Sequence, residues 1–188
     1  MKRSFEIIAL SGFVALACTR NATTSVAASS SQSALRSSET PVGFVPVDLR
    51  FDTPLSDREV SLQALRGRGV VVAAISVDDV HSQALVRHLE RLAREHPDEL
   101  AVIALVGDQS DPSSLRTLLE TYQSVLHLER TTLALASTEM RAGATALGQI
   151  ERVPTTYLFN RAGALVQRVV GYQSYPMLAE LVAPTLMR

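Results

Sequence analysis

The sequence predicts an α/β protein: a three-layer sandwich with a mixed central sheet and helices on both faces. Three observations predict it. Val70 to Ile75 and Leu100 to Val106 are continuous apolar runs of strand length, as expected for strands buried on both faces. Stretches with leucines at helical spacing follow each of them, so strands alternate with helices. Near the C-terminus, two β-rich runs flank Asn160-Arg161-Ala162-Gly163, a hairpin turn signal that adds an antiparallel pair.

The elements follow in order. Phe44 to Phe51 alternates apolar and polar residues and predicts an edge strand. Ser61-Leu62-Gln63-Ala64-Leu65-Arg66-Gly67 predicts one helical turn closed by glycine. After the strand Val70 to Ile75, a helix is predicted from about Ser82 to His96. Leu85, Leu89 and Leu92 recur there at i, i+4 and i+7, and Pro97 follows the end. After the strand Leu100 to Val106, Pro112 opens a helix containing Leu115, Leu118 and Leu119. Ser124 to Leu128 predicts a short strand and Met140 to Leu147 a helix. Thr155 to Phe159 and Leu165 to Val170 form the hairpin, which Gly171 ends. Tyr175 to Met187 predicts a C-terminal helix that Pro184 breaks late.

Composition narrows the function. Hydrophobic residues make up 46% of the 188 and charged residues 20%, enough to bury one sizeable core. The formal net charge of −1 offers no basic excess to neutralise phosphates, so nucleic acid is not an expected partner. There is one cysteine, Cys18, which excludes an intrachain disulfide, a cysteine-rich zinc site and a CxxC pair.

The first residues predict export. Lys2 and Arg3 precede an apolar run from Ile7 to Ala17, about half the ~20 residues a bilayer-spanning helix needs. That pattern predicts a signal peptide over residues 1–17. The run ends in Ala15-Leu16-Ala17-Cys18, which resembles a bacterial lipobox, with Ala15 where leucine is usual. The resemblance implies lipidation of Cys18 and a membrane as partner through its acyl chains. Ala15-Leu16-Ala17 also fits ordinary A-x-A cleavage and a soluble periplasmic protein. Residues 18–42 are rich in Ser, Thr and Ala and predict a flexible tether. The globular domain is then 43–188. Thr19, rather than Asp, after Cys18 resembles outer-membrane lipoproteins of the cell envelope, facing the periplasm.

The element order resembles the thioredoxin fold. Its details resemble the membrane-anchored, TlpA-type thiol–disulfide reductases over about residues 44 to 183. Ser61 to Gly67 before Val70-Val71-Val72 is similar to that family's entry into its first core strand. Val153-Pro154-Thr155-Thr156-Tyr157-Leu158 is similar to its Val-Pro-Thr-Thr-x-Leu segment. Arg161-Ala162-Gly163 and Gly171 match its hairpin and late glycine. The resemblance implies a cis peptide bond before Pro154. It also implies a groove at Val153, Pro154 and Thr155 where an extended peptide pairs with the backbone.

An ungapped comparison sets Asp79 and Ser82 at the family's two cysteine positions; a one-residue shift brings in no cysteine. Dithiol exchange needs one thiolate to attack a disulfide and a second thiol to resolve the intermediate. Neither Asp nor Ser does either step, so no catalytic residue and no cofactor are expected. Asp79 is expected to cap the helix. Asp78, Asp79 and His81 also allow a thiol-independent metal carrier. However, His88 lies seven residues past His81 and matches no helical zinc spacing, so the expectation is no metal. His96 lies near a helix C-terminus, and His127 has no evident partner. A Ser-His-Asp hydrolase is excluded: there is no Gly-x-Ser-x-Gly elbow, and Asp79, His81 and Ser82 crowd one turn.

The expected function is therefore a redox-inactive, thioredoxin-like lipoprotein that binds or scaffolds an envelope protein or peptide without being an enzyme. The alternative is a thiol–disulfide oxidoreductase-family protein of envelope redox homeostasis.

Overall fold

The structure, a computed structural model, describes residues 46–56, 58–107 and 111–187. The predicted signal peptide, Cys18 and the tether lie outside the described residues.

Seven strands form one mixed sheet. In chain order they are β1 (Arg50–Thr53), β2 (Arg58–Ser61), β3 (Gly69–Ile75), β4 (Leu100–Val106), β5 (Thr131–Leu135), β6 (Thr155–Phe159) and β7 (Leu165–Val170). Across the sheet they run β2-β1-β5-β4-β3-β6-β7. β3, β4 and β5 are mutually parallel; every other pairing is antiparallel. The helices are α1 (Val80–Glu95), α2 (Pro112–Leu126), the short α3 (Thr138–Arg141) and α4 (Tyr175–Leu186).

The period-2 geometry of β3 divides the core in two. Val71, Ala73 and Ile75 face a layer built from Leu85 and Leu89 of α1, Leu115 and Leu119 of α2, and Leu178 and Val182 of α4. Val70, Val72 and Ala74 face the opposite layer, with Leu62, Phe51, Met140, Leu147, Tyr157 and Phe159. Every residue of β3 and β4 is buried, which is why both read as unbroken apolar runs. The expected α/β/α sandwich is the observed one.

Several local expectations are corrected. Ser124 to Leu128 is not a strand. Leu115, Leu119, Tyr122 and Leu126 continue a helical stripe, so α2 runs to Leu126 and the strand is Thr131–Leu135. The helix expected from Met140 to Leu147 is the single turn α3. Ser137 starts it by accepting from the Met140 N–H (3.2 Å), and Gly143, at φ 71°, turns the chain out of it. The strand expected from Phe44 begins only at Arg50; before it, Pro46 makes one bridge to Ala164. The turn expected over Ser61 to Gly67 is a 3-10 turn at Gln63–Leu65, and β2, which was not expected, pairs with β1 just before it.

Pro184 does not break α4. It stands in the last turn with its own ring exposed to solvent, where the missing N–H removes only a final hydrogen bond. The buried Thr185 beyond it packs so closely on β3 that a Cβ at Gly69 would stand 2.7 Å from the Thr185 hydroxyl.

Candidate functional site

β3 delivers the chain from the sheet into α1, and Asp79 starts the helix. Its backbone is extended (φ −90°, ψ 122°), as an N-cap requires. Its Oδ2 accepts from both the Ser82 N–H and the Ser82 hydroxyl, each at 2.7 Å. Ser82 is fully buried, and its Oγ in turn accepts from the Ser76 N–H at 3.3 Å. The Asp79 and Ser82 side chains touch across the first turn of α1. The Ser82 hydroxyl, then the Ser82 N–H, hold the Asp79 carboxyl below the usual carboxylate range. His81 adds its Nδ1 at 3.5 Å from Asp79 Oδ1, and Asp78 is exposed beside it.

The start of β6 lies at the same end of the sheet, because Ala74 of β3 pairs with Thr155 of β6. The Val153–Pro154 peptide bond is cis. Thr155 fixes the approach by donating its hydroxyl to the Arg152 carbonyl at 2.6 Å. The Pro154 carbonyl accepts from Gly171 N–H at 2.8 Å, as part of the β6–β7 pairing. Val153 is 44% exposed, and among the described residues its own N–H and C=O have no hydrogen-bond partner.

Tyr172 joins these two parts, and nothing in the sequence singled it out. It follows Gly171, whose φ of 93° turns the chain back toward α1. Its ring meets His81 edge-on with centroids 6.1 Å apart, and its hydroxyl lies 2.9 Å from His88 Nε2. Burial, then the Arg91 charge, hold His88 below the ordinary histidine range. His88 is thus engaged with Tyr172, one ring removed from His81. The only signal available was an aromatic residue directly after the late glycine, and its role depends on Gly171 being hooked to Pro154.

His96 caps the C-terminal end of α1 and lies 3.6 Å from Glu99. His127 closes α2 in a left-handed conformation. Among the described residues, no three His, Cys, Asp or Glu side chains gather as a metal-ligand group, and no helix is long and apolar enough to cross a membrane.

No protein-family model and no curated protein matches the chain. Solved structures do. A thioredoxin-family thiol:disulfide interchange protein from Chlorobium tepidum is 13% identical with a TM-score of 0.63, covering 76% of this chain and 95% of its own. The pneumococcal exposed lipoprotein thioredoxin of Streptococcus pneumoniae is 12% identical with a TM-score of 0.60, covering 73% and 98%. A DsbF homologue from Corynebacterium diphtheriae is 15% identical with a TM-score of 0.63, covering 74% and 86%. At these identities the likeness carries the architecture, and with the mixed seven-stranded sheet it shows that this chain has a thioredoxin-like fold.

Proposed function

We propose that this chain is an exported, lipid-anchored thioredoxin-like protein that binds a polypeptide through backbone pairing at Val153, without thiol chemistry of its own. One observation carries the reading. Val153 is exposed at the start of β6 with both main-chain groups unpaired, and at the adjacent helix start stand Asp79 and Ser82. An extended segment laid along Val153 would satisfy one N–H and one C=O, which is strand addition on a small scale. Val170, which pairs with Thr155 across the hairpin, and Tyr172 just beyond it are both exposed and would offer apolar surface to side chains of such a segment. Cys18 would carry the lipid and hold the domain at the envelope, with the outer membrane as the destination that Thr19 suggests. Its thiol would then be unavailable for exchange.

The likeness to thiol:disulfide interchange proteins favours a second reading, an oxidoreductase of envelope redox homeostasis. Insulin reduction by the purified full chain separates the two. Under the binding reading, turnover stays at the buffer rate. Reduction above buffer overturns it. A photocrosslinking residue at Val153 tests binding directly in intact envelopes. It should yield one discrete adduct that is absent when the same residue stands at Ser124 on α2. Adducts of equal pattern from both positions would refute a specific site at Val153.

A further inference from the structure

We infer that Tyr172 selects which polypeptide pairs with Val153, and that His88 is its positioning residue: the segment taken there lays a large apolar side chain, aromatic before aliphatic, on the Tyr172 ring. The inference rests on the reading of Val153 as a strand-pairing site and names the class of segment that the site takes.

The register brings Tyr172 to the site. Thr155 pairs with Val170 across the hairpin, and beyond that pair the Gly171 N–H donates to the Pro154 carbonyl at 2.8 Å. One step further out, Tyr172 is level with Val153, and residues level with each other on paired strands are neighbours. The Tyr172 ring also reaches His81 in the first turn of α1, with centroids 6.1 Å apart. It therefore crosses from the hairpin side of the candidate site to the helix side. A segment laid between Val153 and the helix start meets that ring.

His88 holds the ring in this place. Its Nε2 and the Tyr172 hydroxyl share one hydrogen bond of 2.9 Å, and their ring centroids are 5.9 Å apart at 44°. Among the described residues the hydroxyl has no other partner. His88 is itself backed by the Tyr175 ring at 6.0 Å, over which the Arg91 guanidinium lies at 4.0 Å. Despite these contacts Tyr172 stays 40% exposed. A ring fixed at its hydroxyl and open to solvent adds little to the core. It is preorganised for contact, because its rotamer freedom is already spent.

The surroundings select the segment. Eight large hydrophobic side chains are exposed among the described residues, and four of them, Val80, Val153, Val170 and Tyr172, stand at this one end. Single exposed apolar residues need no explanation, whereas a group of them marks an interaction surface. The unpaired N–H and C=O of Val153 call for an extended main chain, and the apolar group around them calls for large apolar side chains on it.

Three acetylated, amidated peptides, sharing Thr-Val before and Val-Thr after a central Phe, Ala or Gln, are titrated into the full, isotope-labelled chain while amide shifts are followed by NMR. Saturable shifts at Val153 and Tyr172 are expected. The Phe peptide should bind about three- to tenfold tighter than the Ala peptide, the scale of one aromatic pair, and the Gln peptide no tighter than the Ala peptide. Tyr172→Ala should bring the Phe and Ala peptides to equal affinity and leave the Ala peptide unchanged. His88→Ala should cut the Phe preference, and His88→Gln, whose amide can still bond the Tyr172 hydroxyl, should restore it. A merely structural role would weaken all three peptides alike. Binding at Val153 without a Phe preference, or a preference that survives Tyr172→Ala or His88→Ala, overturns the inference and leaves strand pairing standing. A preference that His88→Gln does not restore overturns the positioning role of His88. No saturable shift at Val153 with any of the peptides overturns the strand-pairing reading itself, and the inference with it.

Discussion

Replacing Asp79 and Ser82 together by cysteine is expected to create a disulfide at the start of α1. Asp79 Oδ2 and Ser82 Oγ are 2.7 Å apart, so the two side chains already converge. A disulfide needs Cβ atoms about 3.5–4.5 Å apart, which side chains in direct contact across one turn can reach. The magnitude follows from the loop that is closed. Chain-entropy arguments for the four-residue span from 79 to 82 give about 2 kcal/mol of extra stability in the oxidised over the reduced variant. For a domain of this size that corresponds to roughly 4–8 °C in melting temperature. The assay is thermal unfolding followed by circular dichroism, with and without reductant, on one protein sample. Comparing two redox states of the same variant cancels the loss of the native cap. The helix N-terminus would also lower the pKa of a thiol at position 79, so insulin reduction should rise above that of the parent chain. Failure to form the disulfide under mild oxidation, or an oxidised form melting no higher than the reduced form, would refute the convergence of these two side chains across the first turn of α1.

Other perturbations test the framework. Glu90→Gln should cost about 1.5–3 kcal/mol in urea unfolding, because it weakens the hydrogen bonds that a buried carboxylate accepts from Arg94 and three backbone N–H groups; a loss below about 1 kcal/mol would contradict that role. Burial alone would raise this carboxyl's pKa, but the hydrogen bonds from Glu129, Thr131, Arg130 and Arg94 outweigh it and the folded value is lowered. Its stabilisation is therefore complete above the unfolded carboxylate pKa and disappears as pH falls through the folded one, so wild type and Glu90→Gln should converge in acid. Gly69→Ala should destabilise by about 1–3 kcal/mol, since the new methyl meets Thr185 Oγ1 at 2.7 Å and its backbone oxygen at 3.0 Å; an unchanged melting curve would show that α4 yields there. Arg91→Ala should raise the His88 pKa measured by NMR, although burial keeps it below the ordinary value; a fall would exclude Arg91 as a contributor.

The parts of the fold legible in the sequence are those whose signal is local. β3 and β4 are buried on both faces, so their apolar runs declare them. Asp79 was legible as a cap because an N-cap acts on its own next turn. β2 was not legible: Arg58-Glu59-Val60-Ser61 is short and polar, and only pairing with β1 makes it a strand. Glu90 reads as one more charged residue on a helix. Its burial follows from partners some forty residues later, at Glu129 to Thr131. Tyr172 was invisible for the same reason, since its position depends on Gly171 meeting Pro154 across the hairpin.

The two halves of the candidate site differ in what they leave available. At the start of α1 the helix would ordinarily present free N–H groups and a positive dipole to an incoming anion or thiolate. Here the Asp79 carboxylate already accepts from the Ser82 N–H and brings its own negative charge. The Ser82 hydroxyl is turned inward, donating to Asp79 and accepting from Ser76. That half is closed to anions by hydrogen bonds within the chain. At Val153 the reverse holds: the main chain is exposed and unpaired. An unpaired strand-like backbone is the feature that strand addition uses, and it asks nothing of the residues at 79 and 82. The hydrogen bonding at the helix start and the unpaired main chain at Val153 are thus independent physical matters. Cysteines introduced at 79 and 82 should change redox behaviour and leave polypeptide capture at Val153 intact. Capture that changed with them would mean that binding runs through the helix start and not through the backbone of Val153.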